Sequence, residues 1–331
     1  MSVRAIGRES NTGNKRRRNE DSFVVAPPLF AVADGMGGAQ AGEVASKLAA
    51  AALEDTDAGS AGGEERVVAL IQEANRRVYE RSNADPAASG MGTTITVALV
   101  EGTTVTFGHV GDSRAYLVRD SVMEQLTDDH SLVNELMKSG KLSPEEAETH
   151  PQRSVITRAL GTDPAVDVDV FVIEAKENDL FLICSDGLTT MVGDEDILEL
   201  LERHHDDLDR AAKSLVAAAN RAGGEDNITV VAFTISADLG DTVLGDTVQL
   251  PPTGSADEDT MEDVLTLQPA VDTMVVPPHE VEGALLVPGS TEALAAVRRE
   301  PISSAARVRL VLTMLVLLGV AAVLLVWGLL R

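Results

Sequence analysis

The chain has 331 residues, is 44% hydrophobic and carries a formal net charge of -26. That length and apolar content allow one sizeable core with further segments attached. The charge argues against a nucleic-acid-binding protein, which must oppose polyphosphate, and the single cysteine, Cys184, leaves no internal disulfide.

The first nine residues hold no apolar stretch of the length a secretory signal needs. Lys15, Arg16, Arg17 and Arg18 then interrupt an acidic chain and run into Asn19, Glu20 and Asp21. Residues 29–33 are a short apolar run ending at Asp34 and Gly35. Residues 42–53 are Ala-rich and helical in character, and Val67, Leu70, Ile71, Ala74 and Val78 recur at helical spacing. Residues 93–100 and 105–110 are β-branched runs separated by Glu101, Gly102 and Thr103, a hairpin signal, and a further strand is expected over 114–118. Residues 128–161 are polar with a helical centre. Residues 166–173 alternate acid and apolar at the strand period, and 180–184 is a short apolar strand that makes Cys184 a buried thiol. Residues 194–204 and 209–221 look helical, and 228–235 closes the region with a strand. Paired strands without helices between them favour antiparallel sheets with helices packed outside.

Three zones follow: a folded region over 1–236, a Pro-, Thr- and acid-rich segment over 237–307, and an apolar segment over 308–331. The middle zone is too poor in apolar residues to order itself and reads as a disordered tether. Asp-Thr followed by Val or Met recurs in it four times, at Asp241, Asp246, Asp259 and Asp272. These repeats are either compositional drift or kinase sites read by a phosphothreonine-binding module. Residues 310–330 carry no charge. About 20 such residues cross a bilayer core of roughly 30 Å as a helix. Arg298, Arg299, Arg307 and Arg309 precede the span and only Arg331 follows it, so the positive-inside rule places the folded region in the cytoplasm, beneath a single-pass anchor in the cell membrane.

Four aspartates mark strand ends. Asp34, Asp112, Asp186 and Asp226 each adjoin an apolar run, with glycine close by. Any one of them reads as a turn residue. Together they would repel one another unless a cation sat among them, and hard divalent cations take such oxygen ligands. Zinc is disfavoured, because there is no Cys pair and no HExxH spacing. The basic run offers arginine forks suited to phosphate.

The segments RRRNEDS, FAVADGMGGAQAGEVAS, GMGTTITV, HVGDSRAYLVRD, HPQRSVITRALG, LFLICSDGLT and GGEDNITVVAF occur in this order. As a set they resemble the bacterial metal-dependent protein serine/threonine phosphatases of type 2C, over about residues 4–236. The resemblance implies an α+β fold: two packed antiparallel sheets flanked by helices on both outer faces. To this the sequence adds the C-terminal membrane helix.

The resemblance also implies the site. Asp34 matches the aspartate that bridges two Mn²⁺ or Mg²⁺ ions, and Gly35 the residue that offers a backbone carbonyl. Asp186 and Asp226 match the other ligands, and Glu20 an acid acting directly or through water. Asp112 matches a ligand of a third cation, with Ser154 completing that site. Arg16 matches the phosphate-binding arginine, with Arg17 or Arg18 taking its place in another register. The implied reaction is hydrolysis of phosphoserine and phosphothreonine by direct attack of a hydroxide bridging two cations. Its implied partners are phosphorylated proteins, membrane Ser/Thr kinases and their substrates. Where some members carry histidine in the DGxGG motif this chain has Met36, which leaves the general acid open. His109 reads as a packed structural histidine, and residues 128–161 resemble the flap beside the site. Two other readings are a dead scaffold, opposed by the retention of every ligand acid, and a small-molecule phosphohydrolase, opposed by the lack of a DxD motif at a strand end.

Overall fold

The computed structural model describes residues 2–37, 41–55, 62–236 and 274–275. In chain order, β1 (Ser2–Asn11), β2 (Asp21–Ala26) and β3 (Leu29–Met36) lead into helices α1 (Ala41–Asp55) and α2 (Gly63–Ala84). Then come β4 (Gly92–Thr93), β5 (Ile95–Glu101), β6 (Thr104–Val110), β7 (Arg114–Arg119) and β8 (Val122–Gln125). The flap holds α3 (Leu132–Lys138), α4 (Pro144–Glu148) and β9 (Val155–Ile156). Strands β10 (Asp169–Glu174) and β11 (Leu180–Cys184), helices α5 (Asp186–Thr189), α6 (Asp194–Arg203) and α7 (Leu208–Ala222), and strand β12 (Ile228–Ser236) complete the folded region. A short strand β13 (Met274–Val275) lies further on.

Two antiparallel sheets face each other. One runs β1-β12-β11-β7-β8 and the other β10-β6-β5-β3-β2, with β4 attached to β3. The layer between them is aromatic. Phe30 stacks on Phe233 with centroids 4.2 Å apart, and Phe181 lies 5.3 Å from Phe233 and 5.7 Å from Phe107. Aromatic residues are scarce in this chain, and four of the six phenylalanines fill the space between the sheets. Helices α1 and α2 cover the outer face of one sheet, with Ala45, Ala49, Ala52, Val67, Leu70, Ile71, Ala74 and Val78 turned inward. Helices α6 and α7 cover the other through Ile197, Leu201, Leu208, Ala212, Leu215 and Ala219. The α-β-β-α arrangement expected from the sequence is the one observed.

Two departures have physical causes. Strands β1 and β2 carry no strand signal, because charged or polar residues such as Arg4, Arg8, Glu9, Asp21 and Ser22 occupy their exposed and site-facing positions. Strand β10 begins at Asp169, three residues after the alternation starts. Side chains claim the earlier backbone: Gln72 donates to the Val166 carbonyl at 2.6 Å and Arg158 to that of Asp167 at 3.3 Å. Within residues 237–307 the described residues are Met274–Val275, which form a short strand.

Among the described residues no helix is long and apolar enough to cross a membrane. Residues 308–331, where the sequence predicts an anchor, lie outside the described residues, as do the threonines of the four repeats.

Candidate metal centre

The four strand-end aspartates meet at one end of the sandwich because their strands do. Strand β3 delivers Asp34, β6 ends just before Asp112, β11 ends just before Asp186, and β12 starts just after Asp226. A fifth acid joins them. Asp21 lies directly opposite Asp34 in the β2–β3 register and is buried. Asp21 carries no strand-end signal of its own; its alignment with Asp34 is a register fact that a single strand does not reveal.

The backbone around Asp34 is pinned. Its N–H donates to Thr94 Oγ1 at 3.0 Å, and its carbonyl accepts from Thr94 N at 2.8 Å and Thr93 Oγ1 at 2.8 Å. Thr94 Oγ1 in turn shares a 2.8 Å hydrogen bond with Ser113 Oγ, next to Asp112. Thr94 of the GMGTTITV motif thus ties the Asp34 backbone to Ser113, the neighbour of Asp112. Gly35 is enclosed: an added Cβ would lie 2.1 Å from the Gly42 carbonyl oxygen and 2.5 Å from that of Glu20. Only glycine allows this approach. The Glu20 carboxylate sits at the same seam, since a Cβ at Gly42 would fall 2.4 Å from its Oε2. Ser154 lies in the turn leading into β9, half-buried.

The basic loop reaches the acids. Arg16 Nη2 donates to Asp226 Oδ2 at 2.8 Å, with both side chains about a quarter exposed. Within the run it is Arg16 that makes this pair; Arg17 and Arg18 are exposed, and Arg18 lies 3.5 Å from Glu43. Asn227 holds the loop in place. Its Oδ1 accepts the Glu20 N–H at 2.7 Å, and its Nδ2 donates to the Thr12 and Arg18 carbonyls at 2.9 Å each. Asn227 stands within the GGEDN segment, but its partners lie far away along the chain and leave no local signal of this role.

The electrostatics are those of crowded carboxylates. Burial, followed by the charges of Asp21, Asp186, Asp226 and Asp112, holds Asp34 well above the usual carboxylate range. Burial pushes Asp21 up to about 7, against the hydrogen bonds it accepts from Thr229 and Ser185. Asp186 is raised to about 6 by burial and by Asp226, and its carboxyl lies within hydrogen-bonding reach of Asp34. Asp112 is also raised well above its ordinary value, by burial and then by Asp186 and Asp129.

These donors fit hard cations. All are oxygens, the acids carry unbalanced negative charge, and Asp21 Oδ1 is buried without a hydrogen-bond partner among the described residues. Among the described residues no three acidic or histidine side chains close onto a single point, so the acids line a patch rather than a finished cage.

The nearby histidines and the cysteine are structural. His109 is fully buried; its Nε2 donates to the Asp128 carbonyl at 3.2 Å, its Nδ1 pairs with Thr96 Oγ1 at 2.9 Å, and burial lowers its pKa to about 3. His130 accepts the Gly111 N–H on Nδ1 at 3.0 Å and meets Asp169 through Nε2 at 3.1 Å. Cys184 is buried, and burial pushes its thiol up to about 12. Met36 packs in a small apolar cluster with Ile156 and Ala159.

A family model described as protein phosphatase 2C matches residues 14–222. The serine/threonine protein phosphatase PstP of Mycobacterium tuberculosis is 42% identical over 236 residues, which are 70% of this chain and 45% of that protein. The serine/threonine phosphatase stp of Listeria innocua is 40% identical over 233 residues, 67% of this chain and 92% of that one. The crystal structure of the M. tuberculosis PstP phosphatase superposes with a TM-score of 0.67 at 40% identity, covering 71% of this chain and all of that one. A catalytic domain of PstP in complex with two manganese ions superposes with a TM-score of 0.65 at 38% identity, covering 71% of this chain and 100% of that one.

Proposed function

The chain belongs to the protein phosphatase 2C family, and from that premise we propose that it is a metal-dependent protein phosphatase acting on phosphoserine and phosphothreonine. The observation that carries this reading is the ion pair of Arg16 with Asp226, which sets a phosphate-binding fork against the carboxylate patch.

Asp34, the Gly35 carbonyl, Asp186, Asp226 and Glu20 would hold the two catalytic cations, Mn²⁺ or Mg²⁺. Asp112 and Ser154 would serve a third. When bound, the cations supply a nucleophilic water at neutral pH and offset phosphate charge. Arg16 binds the non-bridging phosphate oxygens and places phosphorus against the acids. Asn227 keeps Arg16 in reach by tying its loop to the base of β12. Neither His109 nor His130 presents a ring nitrogen without a partner, so neither is placed to protonate the departing serine or threonine oxygen.

The finer reading concerns place and partners. Residues 308–331 anchor the enzyme in the cell membrane with the catalytic region in the cytoplasm. There it counters membrane Ser/Thr kinases, and the linker threonines are sites for those kinases and for a phosphothreonine-binding module. The run of uncharged residues and the flanking arginines support the anchor.

The deciding experiment is phosphate release from phosphothreonine peptides with Mn²⁺, for the parent chain and Asp34→Asn. Activity is expected in the parent and a loss of at least about 100-fold in the variant. An inactive parent with every divalent metal overturns the function, and an active variant overturns the site.

A further inference from the structure

The last Asp-Thr repeat of the linker runs into β13, and β13 pairs in parallel with the flap strand β9: Met274 opposite Val155 and Val275 opposite Ile156. Strand β9 is also held from the flap's own start, where Ile156 bridges Ser131 and Thr157 N donates to the His130 carbonyl at 2.8 Å. The linker strand therefore extends a small sheet within the flap.

The position of β9 gives this pairing consequence. Ile156 is fully buried and packs with Met36 and Ala159. Met36 ends β3, two residues past Asp34. One flap strand thus meets the linker through its backbone and the Asp34 turn through its side chain. Ser154, expected at the third cation, immediately precedes it.

We propose that β9 is a docking edge for the chain's own Asp-Thr-(Val/Met) segments, and that its occupancy competes with phosphoprotein substrates. Strand addition of this kind takes its affinity from main-chain hydrogen bonds, so it suits any short extended segment. Thr and Val favour extended backbone. The three sister repeats carry the same Asp-Thr pattern and can replace the fourth at the same edge. A strand edge pairs with one strand at a time, so a phosphoprotein segment crossing the flap must displace the linker. A small phosphate ester makes no use of the edge and escapes this competition. The docking half stands on the strand pairing alone; the competition half rests on the phosphatase reading.

The test uses the full chain and its Met274→Pro, Val275→Pro double variant, since proline removes the ladder N–H groups without touching the site. Amide exchange at Ile156 is expected to quicken in the variant, and by about tenfold or more when proline also follows the other three Asp-Thr pairs; the Val155 N–H, which donates to the Gln152 carbonyl at 3.1 Å, serves as the internal control. The KM for a phosphothreonine-containing protein is expected to fall at least about threefold, with kcat/KM for p-nitrophenyl phosphate unchanged. Because the sister repeats can take the edge, the same comparison is made with proline after all four Asp-Thr pairs. Unchanged exchange in that form overturns the docking. Quickened exchange with unchanged KM overturns the competition. Full chains inactive on both substrates refute the phosphatase reading alone, and the exchange comparison still decides the docking.

Discussion

Asp21 and Asp34 stand directly opposite each other across the antiparallel β2–β3 pair. Like charges so placed destabilise a sheet, and burial of Asp21 sharpens the conflict. Asp21→Asn removes one charge and keeps an oxygen for Thr229 and Ser185, which donate to Oδ2 at 2.6 and 2.9 Å. In chelator at pH 7.5 the variant is expected to gain roughly 1–3 kcal/mol of stability, read by urea unfolding. Its Mn²⁺ affinity, read by calorimetry, should fall at least about tenfold. A variant that binds Mn²⁺ as well as the parent removes Asp21 from the centre.

The pH dependence of the metal-free fold has two opposed limbs. Asp21 and Asp186 have folded pKa values raised to about 7 and about 6. Their contribution is full below the unfolded value and is lost as pH rises through 6 and 7. His109 has a folded pKa lowered to about 3. Its contribution is present above the unfolded value near 6.5 and is lost as pH falls from there. Two acid limbs outweigh one histidine limb above the ordinary carboxylate pKa, so on these groups stability in chelator should peak at about pH 4 and fall as pH rises towards 7. Added Mn²⁺ should raise the melting temperature most on the alkaline side, where the acids are ionised and protons do not compete. A metal-induced shift equal at pH 5.5 and pH 8 would contradict the raised carboxyls.

Asn227→Ala removes the acceptor of the Glu20 N–H and the donors to Thr12 and Arg18. Leaving such groups unpaired costs roughly 2–3 kcal/mol. Because the loop carries Arg16, kcat/KM should also drop about 10- to 100-fold. The loss should be less than additive with Arg16→Ala, since both changes remove the same placed guanidinium. Additive effects would show that Asn227 acts elsewhere.

Met36→His places an imidazole in the DGxGG motif. Here Met36 is 6% exposed and packed against Ile156 and Ala159. The variant should lose about 1–3 kcal/mol from a polar ring in an apolar niche. It should gain no new acid limb in its pH–rate profile. A faster leaving-group step with poor leaving groups would show that the ring does reach the phosphate.

Deletion of residues 308–331 tests the anchor. The shortened chain should leave the membrane fraction and keep its rate on peptides. Continued membrane retention would place the attachment elsewhere.

Local patterns carried much of this protein into view. Strand-end aspartates, glycines at the turns and the helical recurrence of Val67, Leu70, Ile71, Ala74 and Val78 are facts of spacing, and the structure buries all five of those apolar residues. The arginine run was equally plain, but only the loop geometry picks Arg16 from it, because a single position reaches Asp226. Asp21 was hidden for a different reason. Its meaning lies in the residue across the ladder, and pairing register is a property of two strands at once. Asn227 was hidden because its partners Thr12, Arg18 and Glu20 lie more than 200 residues away along the chain. Met36 looked like a substituted acid and proved to be the floor beneath Ile156. Sequence by itself determined which chemical groups are present and which segments carry them. Tertiary structure decided which of them face one another, because burial and register are set by the packing of distant strands.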